Sequence, residues 1–173
     1  MYAITGITGK VGGALARTLL AADQSVRAVV RDAGKGRSWA EKGCELALAE
    51  MEDAAALTAA FKDVDGVFIL PPSEFDPAPG FPEARAVLTA VKTVLQATGP
   101  RKVVSLSTVG AQATQPNLLT QRTLMEQELR ELRIPVTSSG KVGSWKTLHG
   151  MSLRRATAAS LRAFSNRSTS LFR

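Results

Sequence analysis

A doubly wound, parallel α/β sheet is the fold this sequence predicts, and three observations predict it. Along the first 137 residues, short apolar runs alternate with stretches of helical periodicity at the pitch of successive βα units. One segment, "DGVFIL" at 65–70, holds a continuous apolar run, as strands covered on both faces do. The first run leads at once into glycines at 6, 9 and 12 and then into a helix pattern, so a tight turn heads the chain's first βαβ unit.

The elements follow in order. Tyr2 to Thr5 is a short apolar strand; beyond the glycines Val11, Ala14, Leu15 and Leu19 share one helix face. Ser25 to Val30 is the second strand and Glu45 to Leu48 the third. Asp53 suits the N-cap of a short helix that turns Ala54, Leu57 and Phe61 inward. After the fourth strand, "PPSEFDPAPG" at 71–80 is a loop, because its prolines sustain neither a ladder nor a helix interior. From Pro82 to Ala97, Ala84, Val87, Leu88, Val91, Val94 and Leu95 form a helix stripe that Gly99-Pro100 stops. Lys102 to Ser107 is a fifth strand. A helix over 118–132 turns Leu118, Met125, Leu129 and Leu132 inward, and "IPVT" at 134–137 begins a sixth strand.

At 173 residues the chain has the length of one domain. No signal peptide is recognisable and no apolar run reaches the roughly 18 residues that span a bilayer, so a cytoplasmic protein without a membrane segment is expected. Cys44 and His149 are the only residues of their types, which rules out an internal disulfide or a zinc cluster and gives no expectation of a metal. The net charge of +7 is unevenly placed. Residues 1–137 carry 15 Lys+Arg and 15 Asp+Glu, whereas 138–173 carry seven Lys+Arg, no acid and 8 serines. Two compositions therefore meet near Thr137: a domain over 1–137, and a basic Ser/Arg-rich tail over 138–173 without helical or strand periodicity, expected to be disordered or shifted in frame.

Phosphate approaches a backbone closely only where side chains are absent, and the N-terminus of the next helix offers unpaired N–H groups and a positive dipole end. Gly6, Gly9 and Gly12 supply that geometry, so the turn is expected to hold a dinucleotide; an ordinary tight turn is the alternative. At the end of the second strand an acid favours NAD, through the ribose 2′-OH, and a cation favours NADP, through the 2′-phosphate. The sequence there is "VVRDAGKG". Arg31 and Lys35 point to NADP(H) in preference to NAD(H), while Asp32 keeps NAD open and a solvated turn would account for the two cations without a ligand.

The pattern TGxTGxxG, the "LPP" after the fourth strand and the "SLSTVGA" of the fifth together resemble the NmrA-like, atypical short-chain dehydrogenase/reductase group. The likeness, over residues 1–137, is to its NAD(P)H-dependent quinone and azo-dye reductase-like members. It implies a Rossmann-type sheet, incomplete at its C-terminal side, with the pyrophosphate on Gly6, Thr8, Gly9, Lys10, Val11 and Gly12. It further implies Leu70, Pro71 and Ser107 beside the cofactor, and Glu50 near the adenine amine where the family usually has Asp.

The same resemblance removes the Tyr-dependent mechanism. The only tyrosine, Tyr2, lies in the first strand; Arg122 stands where the family's Lys would be and Leu118 where its Tyr would be. Direct hydride delivery to a quinone or azo acceptor remains, with Ser107, Thr108 and Arg122 as catalytic candidates. The alternative is that Ser107 and Thr108 only satisfy backbone groups while Arg122 lies on a wet helix face. A non-catalytic NADP sensor acting on a protein partner is the other functional class, and a non-functional fragment a third.

The tail is expected to be frame-shifted, because a shifted reading of it resembles the family's next segment, Leu-Arg-Pro, then a bulky residue followed by Phe-Met-Glu-Asn. If each codon is taken as the last base of one residue plus the first two of the next, Thr137 to Ser138 permits Phe, and the two following steps permit Leu and Arg. Val142 to Gly143 permits Trp, then come Phe and Met; Trp145 to Lys146 forces Glu, and Lys146 to Thr147 gives only Asn or Asp. The step from Gly140 to Lys141 cannot give the family's Pro. A frameshift at this point explains the missing acids and the lost periodicity. A basic arm for nucleic acid is the competing explanation, and it is not favoured, since only Trp145, Phe164 and Phe172 interleave the charges.

Overall fold

The computed structural model describes residues 1–108, 117 and 119–139. Leu118 and the tail beyond Ser139 lie outside the described residues. Six parallel strands, β1 (Tyr2–Thr5), β2 (Val26–Val30), β3 (Glu45–Leu48), β4 (Gly66–Ile69), β5 (Lys102–Leu106) and β6 (Val136–Ser139), form one sheet in the order β3-β2-β1-β4-β5-β6. Five helices connect them: α1 (Lys10–Ala21), α2 (Ala33–Ala40), α3 (Ala54–Phe61), α4 (Pro82–Thr98) and α5 (Thr120–Arg130). The chain reverses its direction of travel across the sheet between β1 and β4. A crevice opens there, beyond the carboxyl ends of the strands.

Strand alternation sorts the core into two layers. Ala3, Val67, Ile69 and Val103 pack with α3, α4 and α5 residues such as Leu57, Val91 and Met125. Their neighbours Ile4, Phe68 and Val104 pack with Leu15 and Leu19 of α1 and Trp39 of α2. Successive side chains of one strand face opposite sides, so a strand with a helix layer on each face must be apolar throughout. All four residues of β4 are buried.

The expected elements form to within one residue at most of their ends, with three larger differences. Helix α2 has no counterpart in the sequence expectation, because Gly34 and Gly36 weaken its helical signal. Asp32 caps it, accepting from the N–H groups of Gly34 at 2.7 Å and Lys35 at 3.3 Å. A β-carbon at Gly36 would lie 3.0 Å from Val30 Cγ2, so glycine there lets the helix settle on the sheet. Helix α5 is shorter at both ends than 118–132, although Leu132 remains buried beyond it. Strand β6 starts at Val136 rather than at 134 and runs to Ser139, pairing Ser138 with Ser105 across residue 137. Asp53 caps α3 as its position suggests, accepting from Ala55 N at 3.0 Å and Ala56 N at 2.9 Å.

Candidate dinucleotide site

The turn after β1 is built from backbone. Gly6 adopts φ +63°, a left-handed conformation that favours glycine, and its carbonyl accepts from Gly9 N at 3.0 Å. Gly9 then becomes the N-cap of α1, and no side chain caps the helix. The first-turn N–H groups of α1 thus point out of the helix end without an intrahelical acceptor, as an anion site requires.

Thr5 ties this turn to the end of β4. Its hydroxyl, in a residue 1% exposed, donates to Phe68 O at 3.1 Å and accepts from Leu70 N at 2.8 Å. One hydroxyl thereby satisfies two main-chain groups on the neighbouring strand and fixes where Leu70 and Pro71 leave the sheet. Sequence reasoning passed over Thr5; the signal was a polar residue ending an otherwise apolar strand.

A cleft of about 640 Å3 lies over these strand ends. Among the predicted residues, Gly6, Thr8, Gly9, Arg31, Lys35, Glu50, Leu70, Pro71 and Arg122 line it. Lys10, Val11 and Gly12 do not; they lie in the first turn of α1, where Lys10 is exposed and Gly12 buried. Ser107 and Thr108 do not line it either. Ser107 is buried one residue past β5, and its Oγ has no hydrogen-bond partner among the described residues. A buried hydroxyl left so costs about 1–3 kcal/mol. Met51 and Ser73 join the lining without having been singled out from the sequence.

At the β2–β3 side of the cleft, Arg31 Nε stands 3.9 Å from Glu50 Oε2, each side chain more than 60% exposed. An ion pair that open contributes little and leaves both groups available to a ligand. Asp32 is different, since Oδ1 is committed to capping α2. At the opposite side Arg122 Nη2 donates to Pro71 O at 3.0 Å and to Ser73 Oγ at 2.7 Å. It is half-buried, not on a wet face, and burial lowers its pKa.

A model of the family described as NAD(P)H-binding matches residues 6–134, three quarters of the chain. This chain belongs to the NAD(P)H-binding family. An NAD(P)H azoreductase of Xenophilus azovorans is 32% identical over 117 residues, which is 67% of this chain and 38% of that protein. Two solved structures of NAD(P)H-binding proteins share the fold. The NADPH-dependent quinone oxidoreductase of Escherichia coli, in complex with NADPH, superposes with a TM-score of 0.74 at 23% identity, covering 96% of this chain and 65% of that one. The triphenylmethane reductase of Citrobacter sp., in complex with NADP(H), superposes at 0.69 and 21%, covering 86% and 51%. The chain thus spans well under half the length of the curated relative it matches. The likeness to NmrA-like, atypical short-chain dehydrogenase/reductases holds, and with it membership of a family that binds NAD(P)H.

Among the described residues no group of three or more His, Cys, Asp or Glu is placed to hold a metal ion. No helix among them is long and apolar enough to cross a membrane.

Proposed function

We propose that this protein binds NADPH in the cleft and passes hydride to a small electron-poor acceptor such as a quinone or an azo compound. The single observation that carries this is the co-location, around one 640 Å3 cleft at the sheet's reversal point, of the glycine turn and of Arg31 and Lys35. Side chains are absent where a pyrophosphate must approach, and two cations stand where a 2′-phosphate would lie.

The residues divide the work by position. The N–H groups of Lys10, Val11 and Gly12 and the backbone around Gly6, Thr8 and Gly9 hold the pyrophosphate. Arg31 and Lys35 face the 2′-phosphate, and Glu50 faces the adenine amine. Leu70 and Pro71 wall the nicotinamide half. Bound NADPH supplies the hydride; an electron-poor acceptor needs no tyrosine to protonate it in the same step.

The activities by which the relatives are named, on azo compounds, quinones and triphenylmethane dyes, support this acceptor class. The test is a fluorescence titration with NADPH and with NADH, followed by NADPH oxidation with a quinone in excess. Tighter binding of NADPH together with turnover is the expected result. Binding without turnover would make the protein the nucleotide sensor instead, and no binding of either nucleotide would remove the proposal. The division at residue 137, with a frame-shifted stretch beyond it, is likewise a proposal. Reading the coding DNA there tests it: an open shifted frame supports it, and a shifted frame that closes at once removes it.

A further inference from the structure

Arg122 stands at the boundary between two cavities. It lines the dinucleotide cleft and also a smaller cavity of about 80 Å3, and Pro71 and Pro72 are shared by both. Pro71, Pro72 and, from the buried stripe of α4, Val87 and Leu88 give the smaller cavity apolar walls. A group held there lies against whatever occupies the Pro71 side of the cleft, where the nicotinamide half is placed above.

A guanidinium has five N–H donors. Arg122 spends Nη2 on Pro71 O and Ser73 Oγ, and the Nε and Nη1 hydrogens meet no acceptor among the described residues. Burial lowers its pKa, and it forms no ion pair among the described residues. Glu52, Glu74 and Glu83, which also line the small cavity, are exposed. A half-buried cation with free donors beside apolar walls is a receptor for negative charge.

We infer that Arg122 is the catalytic residue that takes up the negative charge hydride transfer leaves on the acceptor, the edge of whose ring enters the small cavity. This rests on the reductase proposal. NADPH gives up a hydride, two electrons with one proton, and leaves as NADP+; a neutral quinone gains them and becomes the hydroquinone monoanion. Arg122 holds the new oxyanion until water protonates it. The acceptor class follows: a ring bearing a carbonyl oxygen, held only in part by the small cavity, since a cavity of roughly 150 Å3 holds one benzene ring. The 80 Å3 cavity admits a ring edge, with the remainder of the ring in the larger cleft.

The test needs no turnover. 4-Nitrophenol serves as probe, its phenolate standing in for the hydroquinone monoanion, and its visible absorbance is followed as it is titrated against pH with the full chain saturated in NADP+. The expected result is phenolate bound about tenfold or more tightly than phenol, a pKa lowered by about one in the complex. Arg122→Met should erase the preference. Arg122→Gln, neutral but still able to donate to Pro71 O, should erase it too and replaces Arg122→Met should that variant not fold. Ser73→Ala, which cuts a loop contact and leaves the charge, should keep it. Preference retained in the neutral variants overturns the inference, as does its absence in the wild type while NADP+ binds. Failure of NADP+ itself to bind removes the reductase proposal and this inference together.

Discussion

A β-carbon at position 12 would lie 2.4 Å from the carbonyl oxygen of Gly6. The first turn of α1 is laid directly on the turn that follows β1, with no room for a side chain between them. Alanine in place of a helical glycine ordinarily stabilises by up to about 1 kcal/mol. Here backbone must move, and overpacking of this kind costs about 1–3 kcal/mol. Gly12→Ala is therefore expected to lower stability by about 1–2 kcal/mol net, measured by urea unfolding, and to weaken NADPH binding at least tenfold, because the displaced atoms carry the phosphate N–H groups. An unchanged affinity would show that the turn does not hold the pyrophosphate.

Arg31 and Glu50 make opposite predictions for one ligand. Arg31→Ala is expected to weaken NADPH binding about tenfold or more, the loss of a charge-assisted contact, and to leave NADH nearly unchanged. The effect should shrink as salt is raised, since the site is open to solvent. Glu50→Gln releases Arg31 from a pair worth less than about 1 kcal/mol. If Glu50 acts only on Arg31, NADPH affinity rises by up to a few fold; if Glu50 holds the adenine amine, it falls for both nucleotides. Titrating NADPH and NADH against both variants separates the two.

Gln121 fastens the 71–80 loop to α5. Its amide accepts from Glu74 N at 3.0 Å and donates to Glu74 O at 2.6 Å, and the residue is 5% exposed. Gln121→Ala removes both bonds and leaves Phe75, already 79% exposed, on an unfastened loop. Cleavage after Glu74 by a glutamate-specific protease should accelerate at least tenfold, with a smaller change in the denaturant midpoint. Equal cleavage rates would show that Arg122 alone secures the loop.

Thr5→Val keeps the shape of the side chain and deletes the hydroxyl that serves Phe68 O and Leu70 N. Leaving buried main-chain groups unpaired costs about 1–3 kcal/mol, equivalent to a Tm lower by about 2–12 °C at this chain length. Thr5→Ser should recover most of it. A calorimetric scan of the three proteins decides whether the hydroxyl or the methyl matters.

The parallel sheet, its strand runs and the glycine turn were legible in the sequence because each depends on local pattern. The run GVFI at 66–69 carries no polar side chain because both its faces are covered, and Asp53 announces α3 because a cap lies beside the N–H groups it serves. Helix α2 was not legible. Its two glycines argue against a helix locally, and the reason for Gly36 is the side chain of Val30, which approaches it only after the chain has turned back on itself. Lys10, Val11 and Gly12, grouped with the site through the motif, sit in the first turn of α1 and do not line the cleft, so the part proposed for them is played by their N–H groups.

By itself the sequence determined the fold class, the place of the glycine turn at the head of α1 and the cations at the end of β2, since all three rest on neighbours a few residues apart. Only the tertiary structure decided what Thr5 and Arg122 do. Thr5 meets Leu70 across 65 residues and Arg122 meets Pro71 across 51. Whether a hydroxyl bridges two strands, or a guanidinium keeps free donors at the edge of an apolar cavity, depends on burial and on which distant backbone atoms come within about 3 Å. Those are consequences of packing, and periodicity does not carry them.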